Sequence, residues 1–77
     1  MHEAYISIYS FQQVQDFVRL AAERPFDVSV GNDYQNINGK DLMGMFSLDY
    51  SRPVCVHAEC EEASFEAFRN RAQCVAN

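Results

Sequence analysis

Residues 4–9, Ala-Tyr-Ile-Ser-Ile-Tyr, alternate in polarity. Ala4, Ile6 and Ile8 fall on one face and Tyr5, Ser7 and Tyr9 on the other, the period-two pattern of a half-buried strand. The period changes at Ser10. Val14, Phe17, Val18 and Ala21 recur at helical spacing as one apolar stripe, with Arg19, Glu23 and Arg24 outside it. Ser10 supplies an N-cap and Gln13 the third helical position of a capping box, and Pro25 stops the helix. Alternation returns over Phe26 to Val30, which reads as a second strand. Gly31-Asn32-Asp33 signals a turn, and Tyr34 to Ile37 is the returning strand of a hairpin. This third strand is polar, which places it at a sheet edge.

Asn38 is the predicted cap of a second helix, with Asp41 in its first turn, where a carboxylate meets the helix dipole favourably. Leu42, Met45 and Phe46 give that helix an apolar face, and it is short because Asp49 to Pro53 reads as a loop. Pro53 to Glu59 alternates, with Val54, Val56 and Ala58 inward and Cys55, His57 and Glu59 outward. A last helix is predicted over 61–74, with Glu61 and Glu62 in its first turn, Arg69 and Arg71 near its end, and Phe65, Phe68 and Ala72 on its buried face.

The order β-α-β-β-α-β-α predicts an α+β open-faced sandwich, with three helices on one face of a four-stranded antiparallel sheet, as a single domain over 1–77. Apolar residues make up 48% of the chain, too many for a disordered segment. No apolar run approaches the ~20 residues of a membrane span, and the N-terminus has no basic segment followed by an apolar stretch. A cytoplasmic protein with no membrane insertion is expected. The net charge of −5 argues against nucleic acid as a partner and leaves protein partners open. Three cysteines cannot all pair within the chain and lack CxxC spacing, so reduced thiols are expected.

One stretch is more specific. Asn38-Gly39-Lys40-Asp41-Leu42-Met43-Gly44-Met45-Phe46-Ser47-Leu48 resembles the regulatory-site motif of the HPr phosphocarrier proteins, N-x-K-S-[IL]-[ML]-G. Phe17-Val18 and Asp27 to Val30 resemble that family's first helix and second strand, and the element order is the family's own. The resemblance implies the sugar phosphotransferase system. Its HPr proteins accept a phosphoryl group from phosphoenolpyruvate, through enzyme I, on the histidine of a G-[IL]-H-A-R-P-A motif, and pass it to transport components.

In this chain the histidine position falls on Ser10, the arginine on Gln12 and the proline on Gln13. Phosphohistidine is a high-energy donor because an imidazole nitrogen leaves readily. A serine phosphate is a much poorer donor, and glutamine offers only neutral hydrogen bonds where arginine would pair the phosphate charge. The chain is therefore read as an HPr-like protein without the relay, a protein-binding or regulatory module rather than an enzyme. The alternative is a phosphoryl carrier with another acceptor, Ser10 or His57. A third reading is a domain that kept the scaffold and changed partners entirely.

Asp41 stands where the family's regulatory serine would be. It reads either as a fixed imitation of the phosphorylated serine or as an ordinary first-turn acid. The resemblance places a partner-docking surface on Leu42, Met43 and Phe46, with Met43 off the inward stripe. Cys55 and His57 share the outer face of one strand, and the family's strand pairing would bring His2 near the end carrying His57. A metal site built from these residues and Cys60 is conceivable, but no zinc spacing matches, so they are read as isolated surface residues with no cofactor. No nucleophile elbow, P-loop or paired catalytic carboxylates are present.

Overall fold

The computed structural model describes residues 2–32 and 34–76. Its elements are β1 (His2–Ile6), α1 (Phe11–Ala22), β2 (Val28–Gly31), β3 (Asn36–Asn38), α2 (Leu42–Phe46), β4 (Val54–Ala58) and α3 (Glu62–Ala76). The sheet order is β1-β4-β2-β3, every neighbouring pair antiparallel, with the polar β3 at the edge. Ile6, Val28, Val30, Val54 and Val56 meet Val14, Phe17 and Val18 of α1, Met45 of α2 and Phe68 of α3 in one core. Glu3, Tyr5, Ser29, Cys55 and His57 are exposed or half-buried. The sheet is thus covered on one face and open on the other, the predicted α+β sandwich.

Several boundaries differ from the sequence pattern for local reasons. β1 stops at Ile6 rather than Tyr9, because its last partner in β4 is Val54 and the residue before that is Pro53, which has no N–H to donate. Ile8 remains in the core all the same. β2 starts at Val28 rather than Phe26: the ladder with β4 runs out at Ala58, with one more bond from Glu59 N–H to Asp27 O. Phe26 leaves the strand and packs edge-on against Phe68, ring centroids 5.9 Å apart.

The hairpin turn is wider than expected. Asn32 Oδ1 accepts from the N–H groups of Tyr34 and Gln35 at 2.8 and 2.9 Å, and the Asn32 N–H donates to Gln35 O. Tyr34 and Gln35 are therefore turn residues, and β3 covers Asn36–Asn38. Asp33 of the predicted turn lies outside the described residues.

Asn38 does not cap α2. It ends β3, and its Oδ1 and O accept from the N–H groups of Lys40 and Asp41, at 2.9 and 3.0 Å, closing a tight turn. Asp41 consequently sits at the N-cap rather than in the first turn, and its side chain makes no capping hydrogen bond. That turn requires its glycine. A Cβ on Gly39 would lie 2.9 Å from Val28 Cγ1 and 3.2 Å from Val28 O. Gly44 likewise lets α2 lie against β3, since a Cβ there would come within 2.7 Å of Ile37 Cγ2.

α3 runs on to Ala76, with no glycine or proline to end it. Arg69 and Arg71 are therefore mid-helical instead of in the last turn, and Arg69 pairs with Glu66 at 2.7 Å. Leu20, outside the four-residue stripe read from the sequence, is also buried. Among the described residues no helix is long and apolar enough to cross a membrane.

Candidate protein-docking site

The start of α1 is the natural place for an anion, because its first backbone N–H groups have no partners within the helix. The side chains there are committed elsewhere. Ser10 is exposed and extended, and its Oγ accepts from Gln13 N–H at 3.2 Å, the predicted cap. Gln13 Oε1 reaches back to Tyr9 N–H at 2.6 Å, one residue beyond the Ser10 N–H that a standard capping box would engage. Gln12 turns along the helix and donates from Nε2 to Asp16 Oδ1 at 3.0 Å. None of the three aims a cation or a nucleophilic nitrogen at the helix start.

The surface beside this helix start is apolar. Tyr9 and Phe11 are 79% and 73% exposed, against the burial usual for rings of that size. Phe11 packs edge-on against Phe46 of α2, centroids 5.5 Å apart, which joins the two helices at the surface. Met43 is 78% exposed and lies one helical turn before Phe46. Leu42 and Phe46 are half-buried against the core, and Met45 is fully inside it. A shallow pocket of about 490 Å³ lies next to Phe11, lined by Ile8, Tyr9, Ser10, Val14 and Tyr50. Tyr50 anchors its floor: the hydroxyl donates to Met45 O, and burial pushes its pKa up to about 12. Of the residues predicted for docking, Met43 is the most exposed. Tyr9 and Phe11, exposed beside them, were not among those predicted residues. The available signal was two large rings flanking the cap residue, off the inward stripe of α1.

Asp41 is exposed at the start of α2. Lys40 of the same motif is structural: its Nζ donates to Arg24 O at 2.9 Å, a positive charge just past the C-terminus of α1.

The open face of the sheet holds a second group. Glu3 of β1 pairs directly with His57 of β4, and Cys55 lies on the same face. His2 does not join them; it faces the helical side and stacks on Phe65, centroids 5.2 Å apart. Cys55, Cys60 and Cys74 are free thiols. Glu3 was missed at the sequence level, although the antiparallel register of β1 and β4 is what brings it to His57.

The same fold, an antiparallel four-stranded sheet with three helices on one face, recurs in known phosphocarrier proteins. The HPr of Thermoanaerobacter tengcongensis superposes with a TM-score of 0.76 at 25% identity, over 97% of this chain and 94% of that one. The phosphocarrier protein HPr of Bacillus anthracis gives 0.75 at 16% identity, over 99% and 96%. The catabolite repression protein Crh of Bacillus subtilis gives 0.67 at 22% identity, over 94% and 87%. No protein-family model and no curated protein matches the sequence. The chain has an HPr-like fold.

Proposed function

We propose that this chain is a cytoplasmic, bacterial HPr-like docking module that binds proteins of the phosphotransferase system or of carbon regulation without relaying a phosphoryl group. The observation that carries the reading is the pairing of two features at one place. Ser10, Gln12 and Gln13 are occupied in capping and along-helix hydrogen bonds, while the rings of Tyr9 and Phe11 beside them face solvent. An exposed aromatic and methionine surface supplies contact area and adaptable packing for a partner protein. Asp41, exposed at the head of α2, puts a fixed negative charge near that surface.

The alternative acceptor His57 is poorly placed for phosphoryl transfer. Its Nδ1 lies 3.4 Å from a Glu3 carboxylate oxygen and its Nε2 3.3 Å from Cys55 Sγ. An incoming phosphate would meet the like charge of the Glu3 carboxylate there.

Calorimetric titration with enzyme I and with the partners that recognise serine-phosphorylated HPr tests the proposal. Binding to one of these is expected, weakened roughly tenfold or more by Phe11→Ala or Met43→Glu, as for anchors of a contact surface. No binding to any of them, or binding unchanged in both variants, contradicts it. Asp41→Asn separates the two roles of Asp41. Unchanged affinity for the phosphoserine-reading partners rules out the imitation and leaves the acid as an ordinary helix-start residue.

A further inference from the structure

The open face of the sheet carries a group of side chains that the docking surface does not use. Cys55 Sγ lies 3.3 Å from His57 Nε2 and 3.7 Å from Glu3 Oε2, and that same carboxylate oxygen lies 3.4 Å from His57 Nδ1. The three ligand atoms all fall within 4.8 Å of one another. They form a triangle rather than a line. In a nucleophilic triad the acid touches only the far nitrogen of the histidine; here it reaches the sulfur as well. Tetrahedral zinc with bonds of about 2.3 Å to sulfur and about 2.0–2.2 Å to nitrogen and oxygen places its ligands about 3.4–3.6 Å apart. Each observed separation is close to one of those edges, but together they use both ring nitrogens of His57.

We propose that Glu3, Cys55 and His57 form a three-ligand site for a zinc-like divalent cation, with the fourth coordination position open to water. Thiolate, imidazole and carboxylate together match the borderline softness of zinc, and the two anionic donors balance its charge. The scaffold is rigid. His57 and Glu3 are a cross-strand pair in the β1–β4 ladder, and Cys55 is two residues along the same strand. Gly31, opposite Cys55 on β2, puts no side chain beside the sulfur. One adjustment is needed. The carboxylate now faces Nδ1 and the thiol faces Nε2, so a shared ion requires Glu3 to swing toward the Nε2 side. The Glu3 side chain is 61% exposed and free to rotate.

The local charges fit the same role. Burial first, and the Glu3 carboxylate second, hold the Cys55 thiol above its ordinary value, while Tyr5 donates a hydrogen bond to the sulfur. A bound cation displaces the thiol proton, and the Tyr5 hydrogen bond then supports the thiolate as an outer partner of the ligand. Arg52 lies on the rim of the same depression.

Cobalt and zinc titrations of the full chain test this site, with Cys60 and Cys74 replaced by serine to remove the other thiols. One cobalt per chain is expected, with a thiolate-to-cobalt charge-transfer band and the visible bands of a tetrahedral site, both lost when zinc is added. Cys55→Ser should abolish the charge-transfer band. Glu3→Gln, which keeps the side chain's shape, should weaken zinc binding roughly tenfold or more, with amide shifts confined to β1, β4 and the adjoining β2. No cobalt band in the parent, a band surviving Cys55→Ser, or unchanged zinc affinity in Glu3→Gln each overturns the assignment. Circular dichroism of each variant confirms that the fold is kept. The test is independent of the docking surface, which lies on the other side of the sheet.

Discussion

Replacing Ser10 with alanine separates a structural serine from a chemical one. In the wild type Ser10 Oγ accepts from Gln13 N–H at 3.2 Å, at the long end of the range for such bonds, and leaves that donor satisfied. Alanine removes the acceptor, and loss of an N-cap costs about 1 kcal/mol. The unfolding entropy of a globular domain is about 2.1 cal/mol/K per residue, or about 160 cal/mol/K for this chain of 77 residues. A loss of about 1 kcal/mol therefore lowers Tm by about 6 °C. The effect should be global rather than local, because α1 carries Val14, Phe17, Val18, Leu20 and Ala21 into the core. Ser10→Asp restores an acceptor and adds a charge that the helix dipole favours, so it should melt at or above the wild type at neutral pH. Differential scanning calorimetry reads both. An alanine variant within about 1 °C of the wild type, or an aspartate variant as unstable as the alanine one, refutes the capping role.

Phe68→Ala removes a ring that meets both Phe17 and Phe26 at 5.9 Å, and should cost about 3–5 kcal/mol. That is a large part of the roughly 4–12 kcal/mol expected for a domain of this size, so urea unfolding should give a much lower midpoint at an unchanged m-value. Gly39→Ala should destabilise by about 1–3 kcal/mol, because the new methyl meets Val28 backbone and side chain, and the same assay reads it. Tyr50 gives a pH signature. Its pKa is raised to about 12 by burial, so its contribution is complete below the unfolded value near 10 and is lost as pH rises toward 12. Two units would be worth about 2.7 kcal/mol for a fully enclosed group, and roughly half that for a ring that still touches solvent. Tyr50→Phe should flatten this alkaline decline while costing about 1 kcal/mol near neutrality for the lost bond to Met45 O.

The fold was legible because polarity and period agree in most elements. Val54, Val56 and Ala58 alternate against Cys55 and His57, and Phe65, Phe68 and Ala72 mark one helical face, just as the structure has them. Boundaries were less legible where a side chain competes with the backbone ladder. Asn32 widens the hairpin turn through two backbone bonds, and Asn38 closes its own turn instead of capping α2. Those choices depend on tertiary room, such as the close approach of Gly39 to Val28, which no period encodes.

The proposed docking surface was partly legible. Met43 stood off the inward stripe of α2, but the exposure of Phe11 and its contact with Phe46 arise only when two helices distant in sequence are brought together. The Glu3–His57 pairing depended in the same way on strand register. Cys55 and His57 declared a common face by their spacing, whereas Glu3 joined them only through the antiparallel pairing of β1 with β4.

The central claim is that this HPr-like scaffold binds without carrying a phosphoryl group. Intact-protein mass measurement after incubation with enzyme I and phosphoenolpyruvate tests it most directly, with a histidine-bearing HPr phosphorylated in parallel. An unchanged mass for this chain beside a phosphorylated control is the expected result. A phosphate adduct on this chain, abolished by Ser10→Ala or His57→Ala, would contradict it.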